Sequence, residues 1–335
     1  MFEPPRCPNS DCRNHRHPSS RFFRRHGFYF PRCRHYPVPR FRCIACRKTF
    51  SRQTFRADFL QKKPYLNATF LHLMVACVGQ RQCARALRVA RRTVEHRFGW
   101  IARHAEHFQA NRLRGRQLKG PFQLDELETL EGNRFQPVSV PVLIHRASFF
   151  LVASEVAPLR RKGRLTPLQR QRRALWESLH GRRPTQSAVA VRRVLSRLDA
   201  LVDSGSKVVL DSDHKPLYGA LGKSQFGPRF VWRRHSATAR RDHANALFPI
   251  NHTQARLRHY LSRLRRRTWC ISKKRECLRN HLAIAAMWSN FCRGITNRTR
   301  TTPAQAIGVV PRSYRAEEVL GWREDWGELS PALTT

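Results

Sequence analysis

Apolar residues in this chain gather in short runs that stop at acidic positions, and the pattern is sharpest at Val208-Val209-Leu210-Asp211-Ser212-Asp213. A β-branched run that ends in two aspartates and is then cut by Pro216 predicts a buried strand carrying a carboxylate at its C-terminal end. Open α/β sheets place their chemistry at that end. Phe122-Gln123-Leu124-Asp125-Glu126-Leu127-Glu128 repeats the arrangement earlier in the chain. Two β-rich runs follow it, at 137–144 and 148–156, and predict a three-stranded meander with the first. Ser187 to Val202 holds Val189, Val191, Val194, Leu195, Leu198 and Leu201 at helical spacing and leads through Asp203-Ser204-Gly205 into the Val208 strand. Phe230-Val231-Trp232 predicts one further short strand.

Upstream, the period is helical. Tyr65 to Cys77 presents an apolar face and stops at Gly79. Gln80 to Leu87, the link Arg88-Val89-Ala90 and the helix start Arg91-Arg92-Thr93-Val94 then form a helix-turn-helix signature. Ala84, Leu87 and Val94 are its expected core. Arg91, Arg92, Thr93, His96 and Arg97 are its expected DNA-facing residues. A basic linker from Arg112 to Lys119, closed by Gly120-Pro121, marks a domain boundary.

Charge gives these patterns a partner. The 335 residues carry a formal net charge of +43, far beyond what solubility requires, so a polyanion is expected and nucleic acid is the commonest one. No apolar run reaches the roughly 18 residues of a membrane span, and no signal peptide opens the chain, so a cytoplasmic protein without a membrane partner is expected. Five of the ten cysteines fall within the first 46 residues. Cys7 and Cys12, then Cys43 and Cys46, form two close pairs about thirty residues apart, the spacing of a zinc ribbon with four thiolates around structural Zn2+. Cys33 is an alternative ligand, with His15 and His17 behind it. Arginines and aromatic residues alternate between the pairs (Arg21, Arg24, Arg25, Phe22, Phe23, Phe28, Tyr29), which suits phosphate contact and packing.

The last motif lies beyond the Asp213 strand. Leu257-Arg258, Leu261-Ser262-Arg263-Leu264 and Ser272-Lys273 follow Leu124-Asp125-Glu126 and the Asp213 context Pro216-Leu217-Tyr218. In that order and spacing, the chain resembles the DDE transposases of bacterial insertion sequences, the insertion-sequence-one type in particular, which also begin with a zinc ribbon and a helix-turn-helix. Three strands, a helix and a fourth strand ending in aspartate is likewise the element order of a ribonuclease-H-like core. The implied architecture is α+β and multidomain: a zinc ribbon over 1–55, a helix-turn-helix domain over 56–112, a ribonuclease-H-like α/β catalytic core over 113–300 with a basic insertion at 159–184, and a C-terminal tail over 301–335.

The resemblance implies an enzyme that binds element ends and cuts and joins DNA strands with Mg2+ or Mn2+. Asp125 and Asp213 would be the first two acids and hold the metal. Asp211, two residues before Asp213, could face the same side. The family's third acid, a glutamate, falls at Asn251, which offers a carbonyl oxygen but no charge. Glu276 and Asp242 are acids that could compensate, and His252 stands beside Asn251. Arg256, Arg258, Arg263 and Arg266 are expected to track the DNA backbone. The implied partners are double-stranded DNA, both element ends and target, and a second copy of the chain, in the bacterial cytoplasm at the nucleoid. The competing expectation is a catalytically decayed or repurposed transposase that acts as a DNA-binding protein.

Overall fold

The computed structural model describes residues 2–31, 36–161, 163–236, 240, 242–265 and 269–323. The chain divides into two compact units, residues 1–70 with 315–335 and residues 71–314.

The smaller unit contains a one-turn helix α1 (Arg13–Arg16) and the strands β1 (Phe23–Tyr29), β2 (Val38–Cys43) and β3 (Thr49–Ser51) in one antiparallel sheet. The pairing of β1 with β2 is broken by a bulge between Arg25 and Phe28, where Gly27 takes a φ of +67°, a conformation that favours glycine. Phe22, Phe41, Phe50 and Phe55 fill a small core together with Cys7, Cys12 and Cys43. Aromatic volume and the cysteine cluster therefore share one centre, as expected where a sheet this small cannot bury enough apolar area alone.

In the larger unit the helices α3 (Gln80–Ala86) and α4 (Arg91–Leu113) are joined by a short turn, with α2 (Leu66–Val75) before them and the division between units falling inside it. A sheet follows: β4 (Phe122–Glu131), β5 (Asn133–His145), β6 (Leu151–Ser154), the short β7 (Ala157–Pro158), β8 (Val208–Ser212) and β9 (Phe230–Arg234). Its order is β6-β5-β4-β8-β9, with β7 paired to β5. The pairs β4–β5 and β5–β6 are antiparallel; β4–β8 and β8–β9 are parallel. The sheet is mixed, as the meander followed by a crossover helix predicts.

The helices α5 (Pro167–His180), α6 (Ser187–Asp199), α7 (Pro216–Phe226), α8 (Phe248–Tyr260) and α9 (Arg275–Phe291) complete the unit. Side chains of β4 alternate between the faces of the sheet. Glu126 meets Ser187 of α6 and Tyr218 of α7, whereas Asp125 meets Gln254 of α8. On the α8 face Leu127, Val140, Val142 and Ile144 pack with Ile250, Leu257, Leu278 and Leu282. The amphipathic helix read at 187–202 ends at Asp199; Val191, Val194, Leu195 and Leu198 are buried as expected, while Val189 is exposed.

The basic stretch 159–184 contains α5, which buries none of its residues. The helix at Asn251 stops at Tyr260, and a 3-10 turn at Ser262–Leu264 replaces its continuation. Arg256 and Arg258 therefore lie on the helix and Arg263 in the turn beyond it, while Arg266 lies outside the described residues. Among the described residues, no helix is long and apolar enough to cross a membrane.

Candidate active site and cysteine cluster

β4 and β8 run parallel with Phe122 opposite Leu210 and Gln123 opposite Asp211. Continued by two residues, that register sets Asp213 level with Asp125. Asp213 lies just past the strand, where its Oδ1 accepts from the Lys215 backbone N–H at 3.1 Å in the turn that opens α7. The helix lies close on β9 because a Cβ at Gly219 would run into the Trp232 ring and one at Gly222 into the Phe230 ring. Those glycines let α7 approach and so set the height of the Asp213 turn.

Asp125 accepts from the Glu126 N–H at 2.7 Å through Oδ1 and from Gln254 Nε2 at 2.9 Å through Oδ2. Burial raises its carboxyl, the Glu126 N–H offsets part of the rise, and the neighbouring charge of Asp213 adds to it, leaving Asp125 at about 6. A buried carboxylate raised in part by a neighbouring aspartate is one that a cation would relieve.

The fourth strand carries two aspartates with different surroundings. Asp211 is fully buried, bound to His235 Nε2 at 2.8 Å and to Arg146 at 3.3 Å. It sits level with Gln123, and its oxygens are engaged within the fold. Asp213 is the acid whose charge reaches Asp125.

Asn251 and Gln254 stand one turn apart on α8, and the amide that contacts Asp125 is that of Gln254. The helix is docked on β4 by Gln123, whose amide donates to the Ala246 carbonyl at 2.6 Å and accepts from the Ile250 N–H at 2.9 Å. Glu276 is exposed in the first turn of α9, and Asp242 pairs with Arg240 at 3.4 Å. Among the described residues, neither joins the aspartates in a group of three acidic, histidine or cysteine ligands. His252 packs between the rings of Phe149 and Phe248, and burial together with Arg256 lowers its pKa.

The feature that sequence reading missed is on the other face of β4. The Glu126 carboxylate accepts from Lys215 Nζ, Ser187 Oγ, Ser139 Oγ and Tyr218 OH. Burial pushes this carboxyl up, but Lys215 and the two serines outweigh it and hold Glu126 below the usual carboxylate range. Lys215 is two residues from Asp213, so this carboxylate ties the Asp213 turn to the strand that carries Asp125. The Asp-Glu doublet with strand alternation was the available signal.

The expected DNA-facing residues separate. Arg91, Arg92, Thr93 and His96 are exposed on the first turns of α4 and Arg97 is half-buried, while Val94 and Ala84 are buried and Leu87 is half-buried. Arg91 also pairs with Glu95 at 2.7 Å. Arg256 instead donates to the Ile295 and Gly294 carbonyls and to Tyr260 OH, which draws it away from a backbone-tracking row. Arg263 is half-buried over the Phe98 ring at 5.4 Å, and burial lowers its pKa. Arg258 is half-buried, and Arg266 lies outside the described residues.

In the smaller unit the sulfurs of Cys7, Cys12, Cys43 and Cys46 all lie within 4.8 Å of one another. Cys7 and Cys46 are 3.4 Å apart, Cys12 and Cys43 3.8 Å. Four thiolates around zinc at ~2.3 Å stand roughly 3.8 Å apart in a tetrahedron, so the cluster fits that ion. Burial pushes the Cys43 thiol up, but the Cys46 and Ala45 N–H groups and the Asn14 amide bring it down to about 7. His15 is hydrogen-bonded to the Cys7 carbonyl at 2.7 Å, and Cys33 lies outside the described residues.

No protein-family model matches the chain, and no curated protein matches it. Among solved structures it is similar to one described as the cryo-EM structure of the simian T-cell lymphotropic virus intasome in complex with PP2A regulatory subunit B56 gamma. That match has 16% identity, covers 74% of each chain and has a TM-score of 0.29. A likeness this loose assigns neither fold nor activity to this chain.

Proposed function

We propose that this protein is a DNA transposase of an insertion sequence, which binds element ends and carries out metal-dependent strand cleavage and transfer. The observation that carries the reading is the parallel pairing of β4 with β8, whose register, continued by two residues, sets Asp213 level with Asp125, and the charge of Asp213 contributes to raising Asp125 to about 6. Strand order β6-β5-β4-β8-β9, with the pairs β6–β5 and β5–β4 antiparallel and β4–β8 and β8–β9 parallel, supports a ribonuclease-H-like core. Two carboxylates suit Mg2+ or Mn2+, since magnesium takes one or two carboxylates and leaves its other positions to water and phosphate oxygens. Bound there, the metal would supply activation of the attacking oxygen and stabilisation of the leaving one.

The chain's own residues prepare that site. Asp125 and Asp213 supply charge, Gln254 orients Asp125, and Lys215 on Glu126 fixes the Asp213 turn. The exposed start of α4 supplies the DNA contact through Arg91, Arg92, Thr93, His96 and Arg97. The cysteine cluster holds structural zinc. Holding two DNA ends at once calls for at least two copies of the chain.

The second reading, a DNA-binding protein that has lost its chemistry, is favoured by one observation. Where a third carboxylate is expected, α8 brings amides, and Gln254 presents a donor to Asp125. Calorimetric titration of the full chain with Mn2+, with and without duplex DNA, separates the two. Binding that disappears in Asp125→Ala and Asp213→Ala, together with metal-dependent nicking, supports the enzyme. Duplex binding with no metal uptake supports the binder.

A further inference from the structure

Beside the sheet of the smaller unit lies a cavity of about 520 Å³ with no part in the cysteine cluster. Its walls are aromatic and prolyl: Phe23, Phe28, Phe41, Tyr36, Pro37 and Pro39. Phe28 is 66% exposed and Tyr36 52% exposed. The β1 bulge stands at the cavity, and Gly27 leaves open space around its Cα. Phe28 and Tyr36 stand open at the cavity wall, whereas Phe22, Phe50 and Phe55 of the same unit are buried.

Charge narrows what the cavity takes. Arg25, Arg40, Arg52 and Arg56 line it with one carboxylate, Glu3, so the walls carry a net positive charge, and Arg56 pairs with Asp58 at 2.7 Å. Gln53 also lines it. The Gln53 Oε1 accepts from Tyr29 OH at 3.0 Å, whereas its Nε2 is buried with no hydrogen-bond partner. A buried donor left unmade is costly, so a ligand bringing an acceptor is favoured. The complement is a flat ring with carbonyl or ring-nitrogen acceptors, attached to negative charge. An apolar peptide would waste the guanidinium groups, and a duplex keeps its base faces stacked away from Phe28 and Tyr36.

We infer that this cavity receives an unpaired base of single-stranded DNA, stacked against Phe28 and Tyr36 with its phosphates on the neighbouring arginines. Stacking on aromatic side chains is tolerant of sequence, and the arginines add a salt-sensitive backbone term. The inference does not depend on Asp125 or Asp213. It gives the smaller unit a strand-state preference that a purely structural zinc module lacks.

The test uses the full zinc-loaded chain and a short oligothymidylate with one central 2-aminopurine, followed by base fluorescence and by anisotropy. The base fluorescence is expected to be quenched on binding. The double variant Phe28→Ala, Tyr36→Ala is expected to bind the single strand about tenfold more weakly while holding duplex DNA within about twofold of the unaltered chain. Tyr36→Phe, which keeps the ring, should bind like the unaltered chain, and zinc content and circular dichroism show whether each variant is folded. An oligomer with abasic sugars bound as tightly as the base-bearing one overturns the inference. So does equal loss of single-strand and duplex binding in a folded double variant, or tighter binding of the matching oligoribonucleotide.

Discussion

Gln254 donates to Asp125 at 2.9 Å across 129 residues of sequence, so the amide on α8 and the carboxylate on β4 form one unit. The contact occupies one of the two oxygens through which Asp125 would hold a cation. Replacing the amide with a carboxylate should turn a competing donor into a ligand. Gln254→Glu is expected to tighten Mn2+ binding by about tenfold, equivalent to ~1.4 kcal/mol. In metal-free buffer it should lower the melting temperature, because a third acid joins two that already repel. Calorimetry and thermal unfolding check both signs, and Asn251→Glu run beside it tells which position on α8 faces the metal.

Glu126 and Lys215 should matter to stability more than their place away from the reacting face suggests. Breaking a buried pair strands the remaining charge, and Lys215 is partly exposed, which softens the cost. Glu126→Gln is expected to cost about 2–3 kcal/mol by urea unfolding. If Glu126 positions the Asp213 turn, the folded variant should also bind Mn2+ more weakly.

Removal of zinc should unfold the smaller unit selectively. Cys43→Ser, or a strong chelator, is expected to abolish the dispersed amide signals of residues 5–55 in NMR spectra. Signals of the larger unit should keep their positions.

His281 makes acid stability measurable at one residue. It is fully buried, donates through Nε2 to the Met74 carbonyl at 2.9 Å, and is held at about 3 by burial and then by Arg263. Its folded pKa lies below the ordinary 6.5, so the unfolded chain binds the extra proton. The stability this neutral ring contributes is complete above about pH 6.5 and is lost as pH falls toward 3. Between about pH 4 and 6 the unaltered chain should lose up to ~1.4 kcal/mol per pH unit through this group. His281→Gln, which keeps a donor without the titration, should show a shallower slope in urea midpoints over that range.

DNA binding should carry a countable signature of the α4 start. Arg91→Ala with Arg92→Ala is expected to reduce the slope of log affinity against log salt by about two and to weaken binding to all duplex sequences alike. An unchanged slope would mean that these arginines do not touch phosphate.

Much of this was legible in the chain. The strand at 208–212 announces itself because a β-branched run stops at acids, the one at 122–131 because apolar residues lead into Asp125, and the cysteine pairs converge as their spacing suggests. Helix ends and long-range partners were harder. Arg256, Arg258 and Arg263 fall at roughly helical spacing, yet the helix stops at Tyr260, and burial of Leu261 and Leu264 overrides the periodicity. Gln254 was passed over because a neutral amide has no signature of its own; its meaning comes from an aspartate far away in sequence. Phe28 read together with Phe22 as suiting phosphate contact and packing, and only exposure in three dimensions separates the two.

The length of α4 has a consequence for how the two ends of the larger unit work together. Its first turns expose Arg91, Arg92 and His96, and its later turns bury Phe98, Ile101, Ala105 and Phe108 in the unit that also carries the sheet. Twenty-three residues of unbroken helix span roughly 35 Å. A helix anchored this way is a ruler. If the proposed function holds, a duplex gripped at its tip would meet the aspartate pair at an offset dictated by helical rise, and cutting position would be counted from the grip and not chosen by the bases being cut.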